Sequence, residues 1–553
     1  MRPDCGKIQS SMPENKLYYG DNLDVLRRYV KDDSIDIVYL DPPFNSRQDY
    51  NVLFAEKDGM QAAAQIMAFE DTWEWNQESS RTYEEMVEAG GPVAEVMIAF
   101  RTFLRGSDMM AYLAMMAPRL VELRRVLKES GAIYLHCDST ASHYLKILMD
   151  AVFGPQCFRN EVIWQRTSAH NDPMKYGRVH DSLLFYGRGE KITWNTQYEP
   201  IDEDYFKAHD FEEDEKGLFR KRDLTAPAHG GKSGQYEWKG KHPPVGRMWS
   251  YTEENMRQLE TEGRIAYTKT GMPRLKIYEE KLKGVCYQDV WVRSELWLNS
   301  AAQERLGYPT QKPEALLERI IKSSSNEDDI VLDPFCGCGT AIAVAEKLKR
   351  RWIGIDITHL AINLIRKRLR DHFGEEVRKD YDIIGEPVSV TDAAELAKRD
   401  PFQFQSWALG LVGARIATSA KKGADKGIDG RLYFHDDKSG RSKQIILSVK
   451  AGENVNVAQV RDLRGVIERE KAEIGVLISM EPPSKPMTKE AAEAGFYKSP
   501  HVEGNFPRLQ IFTIEQLLRG EQIAYPRLLD VTYKQAPRAR GKAAQTMALP
   551  LDE

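Results

Sequence analysis

The run Ile35-Asp36-Ile37-Val38-Tyr39-Leu40 stops at Asp41-Pro42-Pro43-Phe44. A short apolar stretch of β-branched and aromatic residues, closed by a carboxylate and two prolines, reads as a buried parallel strand. Such strands need helices on both faces of their sheet, and open α/β sheets place ligand chemistry just past the strands' carboxyl ends. Proline lacks an N–H and fixes its own φ, so Pro42-Pro43 makes a stiff loop whose carbonyls cannot all be used internally. Asp41 and those carbonyls accept hydrogen bonds, while Phe44 offers a flat apolar face. The set suits a planar group carrying an amino substituent, such as adenine or cytosine. Pro and Asp are also common turn residues, so the loop by itself does not decide between a site and a turn.

A second stretch decides it. Asp329-Ile330-Val331-Leu332-Asp333-Pro334-Phe335-Cys336-Gly337-Cys338-Gly339-Thr340 reads as a strand, a glycine-rich loop and the start of a helix over 341–349. Glycines let the backbone approach a ligand closely, and a helix start supplies free N–H groups. Another strand, 352–355, then ends at Asp356, about 20 positions beyond Asp333, where a βαβ unit sets a carboxylate on a ribose. A phosphate loop wants Gly-Lys-Ser/Thr after its glycines, and no lysine stands there. A nucleoside without a triphosphate is the expected cofactor.

With these motifs in view, the chain resembles the exocyclic-amino DNA methyltransferases of the β group, in which the catalytic motif precedes the cofactor motif. Tyr308-Pro309-Thr310-Gln311-Lys312-Pro313, followed by Leu316, Leu317 and Ile320, is similar to the segment leading into that family's cofactor loop. Gly20-Asp21-Asn22 and Gly131-Ala132-Ile133-Tyr134-Leu135-His136-Cys137-Asp138 resemble further family motifs. The likeness spans roughly residues 17 to 370. It departs from the family at Cys336 and Cys338, where a small residue and then serine are more usual. The resemblance implies a Rossmann-like fold, S-adenosylmethionine as cofactor and double-stranded DNA as partner. It assigns catalysis to Asp41, Pro42, Pro43 and Phe44. Cofactor binding falls to Asp21, Thr310, Lys312, Asp333, Pro334, Phe335, Gly337, Gly339, Thr340 and Asp356. An Asp heading the Pro-Pro-aromatic motif leans towards adenine N6 in this family, while serine leans towards cytosine N4; N4 stays open.

The bulk properties agree with such an enzyme. A chain of 553 residues allows three or four domains, and 42% hydrophobic with 29% charged residues is ordinary globular composition. A net charge of −5 means that any DNA surface must be a local patch. No apolar run approaches a membrane span, and the start has no signal-peptide core. Six scattered cysteines lack paired zinc spacing, so a reduced cytoplasm is the expected compartment. A homodimer stays open.

Residues 1–189 read as the catalytic half, 190–305 as a target-recognition insert and 306–370 as the cofactor half. Within the first, 1–15 reads as a loose leader, and Asp21 either meets the cofactor or caps the helix after it. Residues 45–115 are an excursion whose apolar spacing predicts a helical cover, with a closing lid as the alternative. His136, Cys137 and Asp138 sit on adjacent strand positions, which point to opposite faces and do not jointly clasp a metal. The insert carries eight basic residues between Lys216 and Arg247 against Asp223 and Glu237, interleaved with aromatics, which suits phosphate and base contacts. Residues 371–400 are charged and poorly periodic, hence a linker. Residues 401–533 resemble the restriction-endonuclease-like PD-(D/E)xK fold in its Mrr-like branch, through Asp429, Ser448-Val449-Lys450 and the Gln459–Gly465 run. That likeness implies Mg²⁺ held by Asp429 and water oriented by Lys450. Ser448 stands where Glu or Gln is usual and is a weak Mg²⁺ ligand, which puts cleavage in doubt. The tail, 534–553, reads as a basic flexible arm.

Overall fold

The computed structural model describes residues 15–43, 74–168, 174–199, 211–228, 234–278, 284–298, 304, 306, 308, 310–417, 427–436, 442–452, 455–526 and 529–530. Phe44, the leader at 1–14, residues 45–73 of the excursion and the basic tail lie outside them.

The larger unit is organised by a nine-stranded sheet. β1 (Asn15–Tyr19) leads through α1 (Asn22–Tyr29) to β2 (Ile35–Leu40), all of whose residues are buried. Three helices follow, α2 (Gln77–Glu88), α3 (Gly91–Leu104) and α4 (Asp108–Val126), then β3 (Leu127–Cys137), α5 (Ser142–Phe153), β4 (Phe158–Gln165) and β5 (His180–Gly187). Past the insert come β6 (Val290–Trp291), α6 (Glu314–Ser324), β7 (Ile330–Asp333), α7 (Thr340–Lys347), β8 (Arg351–Asp356), α8 (His359–Phe373) and β9 (Tyr381–Ile384). The strands lie in the order β6-β4-β5-β3-β2-β7-β8-β1-β9. β5 runs antiparallel to β3 and β4, and the other pairings are parallel.

Side chains alternate faces along a strand, so β2 feeds two cores. Val38 and Leu40 pack with Leu26 of α1, Phe100 of α3, Leu113 of α4 and Leu145 of α5. Ile37 and Tyr39 pack with Leu317 of α6, Ile342 of α7 and Ile365 of α8. Helices thus cover both faces, and the described part of the excursion, 74–115, belongs to this cover. The sheet order sets β2, β7, β8 and β1 side by side, and their carboxyl ends carry Asp41, Asp333, Asp356 and Gly20-Asp21.

Residues 196–288 form a second compact unit, within the 190–305 window. Its sheet runs antiparallel in the order Ile265–Tyr267, Pro273–Tyr278, Gly217–Asp223, Phe211–Asp214. Leu224, Trp238, Trp249, Met256 and Leu275 form its core.

The linker expectation for 371–400 is corrected by the structure. β9 pairs in parallel with β1 as the last strand of the large sheet, and α9 (Val390–Arg399) buries Ala393 and Leu396 in the next core. A four-residue edge strand and a short helix carry too few apolar positions for periodicity to register above the surrounding charges. α10 (Pro401–Leu411), β10 (Gly430–His435), β11 (Lys443–Lys450), α11 (Val457–Glu470), β12 (Ile474–Ser479), α12 (Lys485–Glu493) and β13 (Leu509–Thr513) complete the C-terminal module. In its sheet β10 and β11 are antiparallel, and β11, β12 and β13 are parallel.

Candidate functional site

Asp41 follows directly from β2, with Pro42 buried and Pro43 exposed. One oxygen of its carboxylate, Oδ2, accepts a hydrogen bond from the Lys312 ammonium. The other, Oδ1, is buried and has no hydrogen-bond partner among the described residues. A buried acceptor left unmatched is costly, so a site that keeps one is built to receive a donor. Lys312 is itself fixed: its Nζ also donates to Thr310 O (3.3 Å), and its carbonyl accepts from the Thr340 hydroxyl (3.2 Å). Fully buried Arg368 of α8 completes the clamp by donating to Thr340 Oγ1 (2.9 Å) and Glu314 (2.9 Å). The structure therefore spends the Thr340 hydroxyl on holding the 310–314 segment, and it turns Lys312 towards Asp41.

Around the corner lies the glycine loop. Gly337 and Gly339 have φ of +48° and +73°, in the left-handed region that favours glycine. A Cβ on Gly339 would come within 2.6 Å of Ile365, and one on Gly337 within 3.2 Å of Tyr308. The N–H of Gly337 donates to Asp356 Oδ2 (2.9 Å), and Thr358 donates to Oδ1 from both its backbone and its hydroxyl (2.9 Å each). Burial nevertheless pushes the Asp356 carboxyl up to about 6. Asp333, which accepts from Phe335 N (3.1 Å), is raised well above the usual carboxylate range by burial and by the charges of Asp41 and Asp356. Cys336 and Cys338 are buried within the fold, so the family departure is accommodated by packing.

Asp21 both caps and pairs. Its Oδ1 accepts from Leu23 N (2.8 Å) at the start of α1, while Oδ2 accepts from Arg119 of α4 (2.6 Å). Arg119 also donates to Asn22 (2.6 Å), whose amide in turn donates to Pro334 O (2.8 Å). The loop ending β1 is thereby tied to the glycine loop.

Behind Asp41, Tyr39 and fully buried His136 are hydrogen-bonded (3.0 Å), and the ring's Nε2 faces Asp181 (3.3 Å). Burial and the charges of Asp41, Asp333 and Asp181 push the Tyr39 phenol well above its usual range, so it keeps its proton. Donated to Nδ1, that proton leaves Nε2 as the N–H facing Asp181. Cys137 points to Ser182 O (3.7 Å) and Asp138 caps the turn at Thr140 (2.9 Å), so the trio diverges.

In the C-terminal module Asp429, Ser448 and Lys450 converge. Asp429 Oδ2 accepts from Ser448 Oγ (3.0 Å) and Val449 N (2.6 Å), with Lys450 Nζ at 3.6 Å. Its Oδ1 accepts from Gln405 Nε2 of α10 (3.1 Å). Both oxygens are thus engaged. Among the described residues no group of three His, Cys, Asp or Glu side chains is placed to hold a metal ion.

Residues 35–367 match the N6/N4 family described as DNA methylase. The chain belongs to the DNA methylase family. Residues 402–519 match a second family, described as NACHT-associated inactive restriction endonuclease 1. Among curated proteins, the type II methyltransferase M.EcaI of Enterobacter cloacae is 34% identical over 51% of this chain and 64% of its own length. The Mod subunit of the type III restriction-modification enzyme StyLTI from Salmonella typhimurium is 28% identical over 59% of this chain and 49% of its own. The chain therefore spans less than two thirds of either relative. Among solved structures, the cytosine-N4-specific PvuII DNA methyltransferase aligns at 14% identity and a TM-score of 0.30, over 67% of this chain and 93% of its own. Arg119, Asp181 and Gln405 are site neighbours that sequence reasoning passed over. Each meets its partner only through the fold and carries no local pattern of its own.

Proposed function

We propose that the chain transfers a methyl group from S-adenosylmethionine to an exocyclic amino group of double-stranded DNA, adenine N6 rather than cytosine N4. The observation that carries this reading is the buried, unpartnered oxygen of Asp41, held beside the glycine loop by Lys312. The residues suit the cofactor: a cradle at Gly337 and Gly339 that a Cβ would fill, Asp356 for a ribose, and acidic neighbours for a sulfonium. When bound, S-adenosylmethionine supplies a methyl group already attached to a good leaving group.

The target base is flipped from the duplex, which costs about a few kcal/mol of unstacking and unpairing. Phe44 stacks on it in this proposal. Asp41 Oδ1 and the Pro42 carbonyl accept the two amino hydrogens, directing the nitrogen lone pair along the line of attack. As the nitrogen–methyl bond forms, the sulfur–methyl bond breaks, and the surplus proton leaves the amine on the Asp41 side. Positioning and fixed charges carry the rate. The basic insert reads the target, with Arg222 and Lys241 free of ion pairs among the described residues, whereas Lys221 and Lys239 are paired with Glu212 and Glu260.

For the C-terminal module we favour a DNA-holding role without cutting. The alternative is a restriction–modification fusion, Mrr-like and Mg²⁺-dependent, that cleaves unmodified DNA. Three hydrogen bonds and the Lys450 ammonium at 3.6 Å already engage both oxygens of Asp429, which disfavours a hard cation there, and the matching family is described as inactive.

Single-molecule sequencing of DNA from a host expressing the gene tests the main reading, because it reports base, position and site together. N6-methyladenine at one sequence is expected. N4-methylcytosine would replace the adenine reading, and unmarked DNA with soluble protein would overturn methylation. Nicking of unmodified plasmid with Mg²⁺ would reverse the order of the two readings of the C-terminal module.

A further inference from the structure

The ends of β8, β1 and β9 border a cavity of about 650 Å³, within the volume range of small-ligand sites. Tyr19, Asp21 and Ile357 line its methylase side; Arg399, Asp400 and Gln403 line it from the C-terminal module. Ile357 directly follows Asp356 and is 58% exposed, an apolar face left open beside the acid expected at a ribose. Asp21 also lines the cavity, on the loop tied to Pro334 through Asn22. The cavity therefore opens beside the residue that follows Asp356 and beside the β1 loop that Asn22 ties to Pro334.

The C-terminal wall is built in. Gln403 Oε1 accepts from the backbone N–H of His359 (3.2 Å), the first residue of α8 after its Thr358 cap. Arg399 is within hydrogen-bonding reach of the Tyr19 hydroxyl, and the Tyr19 ring stacks on His359 with centroids 3.7 Å apart. Asp400 caps α10 through Phe402 N and Gln403 N (3.1 and 3.0 Å). Two residues past Gln403, on the same helix, Gln405 donates to Asp429. One helix thus touches both the cavity and the nuclease-like carboxylate.

We propose that this cavity takes the adenine end of the cofactor, that Arg399 and Gln403 of the C-terminal module contact the base, and that α10 carries cofactor occupancy to Asp429. The inference rests on the cofactor reading above. A purine in this position has Ile357 against one face, and its ring nitrogens and amino group meet the guanidinium and amide of the module. Neither module alone completes the pocket, so the C-terminal part is a component of the cofactor site.

Hydrogen exchange on the full chain, with and without S-adenosylhomocysteine, tests the proposal. Slowed exchange is expected both in the 334–340 loop and in 399–406. Protection of the loop without 399–406 overturns the proposal and leaves the cofactor reading intact; protection of neither overturns both. Arg399→Ala, at an exposed residue whose loss spares the core, should weaken S-adenosylhomocysteine and free adenosine by about tenfold each, the scale of a hydrogen bond to a charged group. Unchanged affinity for both overturns the assignment of Arg399 to the base.

Discussion

Asp41 and Asp429 are chemically alike: each is an aspartate beside a buried strand with a lysine ammonium close to one oxygen. They differ in what remains. Asp41 keeps Oδ1 buried and unmatched among the described residues, whereas Asp429 has donors on both oxygens. A lysine neighbour is therefore no guide to whether a carboxylate is available. What differs is an oxygen with no donor at all, which gains most from a ligand that brings one.

The sharpest test of this contrast is removal of each carboxylate in turn. Asp41→Ala should lower methyl transfer by about a thousandfold or more, on the scale of removing a group that meets the transition state. Cofactor affinity should change little, since Asp41 lies outside the glycine loop. Lost binding in calorimetry would merge the two roles. Asp429→Ala should leave methyl transfer within about threefold of the native rate, and a collapse comparable to that of Asp41→Ala would remove the distinction.

A gain-of-function variant probes the other side. Ser448→Glu replaces a donor to Asp429 by a second carboxylate, removing one of the two hydrogen bonds to Oδ2 and adding a hard oxygen ligand. Mg²⁺ should bind about tenfold more tightly, with nicking activity that Lys450→Ala then removes. If calorimetry shows no change in Mg²⁺ affinity, donor count is not what silences this site.

Acidity gives a third, smaller effect. Burial pushes the Asp356 carboxyl up to about 6, and burial also raises Asp333 well above the usual carboxylate range. A bound sulfonium favours the ionised forms, so binding releases protons and affinity rises with pH. Affinity for S-adenosylmethionine should be fullest above pH 6 and fall below it, by up to about tenfold per unit for each carboxyl titrating. A flat profile through that range would show that these acids bind the cofactor equally well when protonated.

The smallest difference lies in how the two modules engage DNA. Arg222→Ala should flatten the salt dependence of binding by about one unit of log–log slope, the share of one phosphate contact. Lys450→Ala should leave the slope unchanged, because its ammonium is already directed at Asp429. A reversed pattern would place a phosphate contact at Lys450 and none at Arg222.

Much of this site can be read before folding, because its parts are continuous in the chain. Asp41, Asp333 and Asp356 each end an apolar run, and strand–loop–helix order alone sets them at one edge of a sheet. Lys312 is different. Its motif marks it as a site residue, but its partner Asp41 is 271 positions away, and only the clamp of Arg368 on Thr340 turns it there. Asp21 shows that two readings can hold together, since one oxygen caps α1 and the other pairs with Arg119. The segment 371–400 defeats the sequence for a different reason: β9 gains its identity from β1, which lies at the far end of the chain.

That strand also bears on how such a chain could be divided. β9 covers the edge of β1, and Glu386 just beyond it pairs with Arg366 (2.6 Å) and buried His359 (3.3 Å) of α8. A gene shortened after α8 would encode a sheet with β1 as a bare edge, open to pairing with other chains, and a histidine stripped of its carboxylate. Recombination that exchanges the C-terminal module for another must therefore cross over beyond residue 386, so that β9 and the Glu386 pairs stay with β1 and α8.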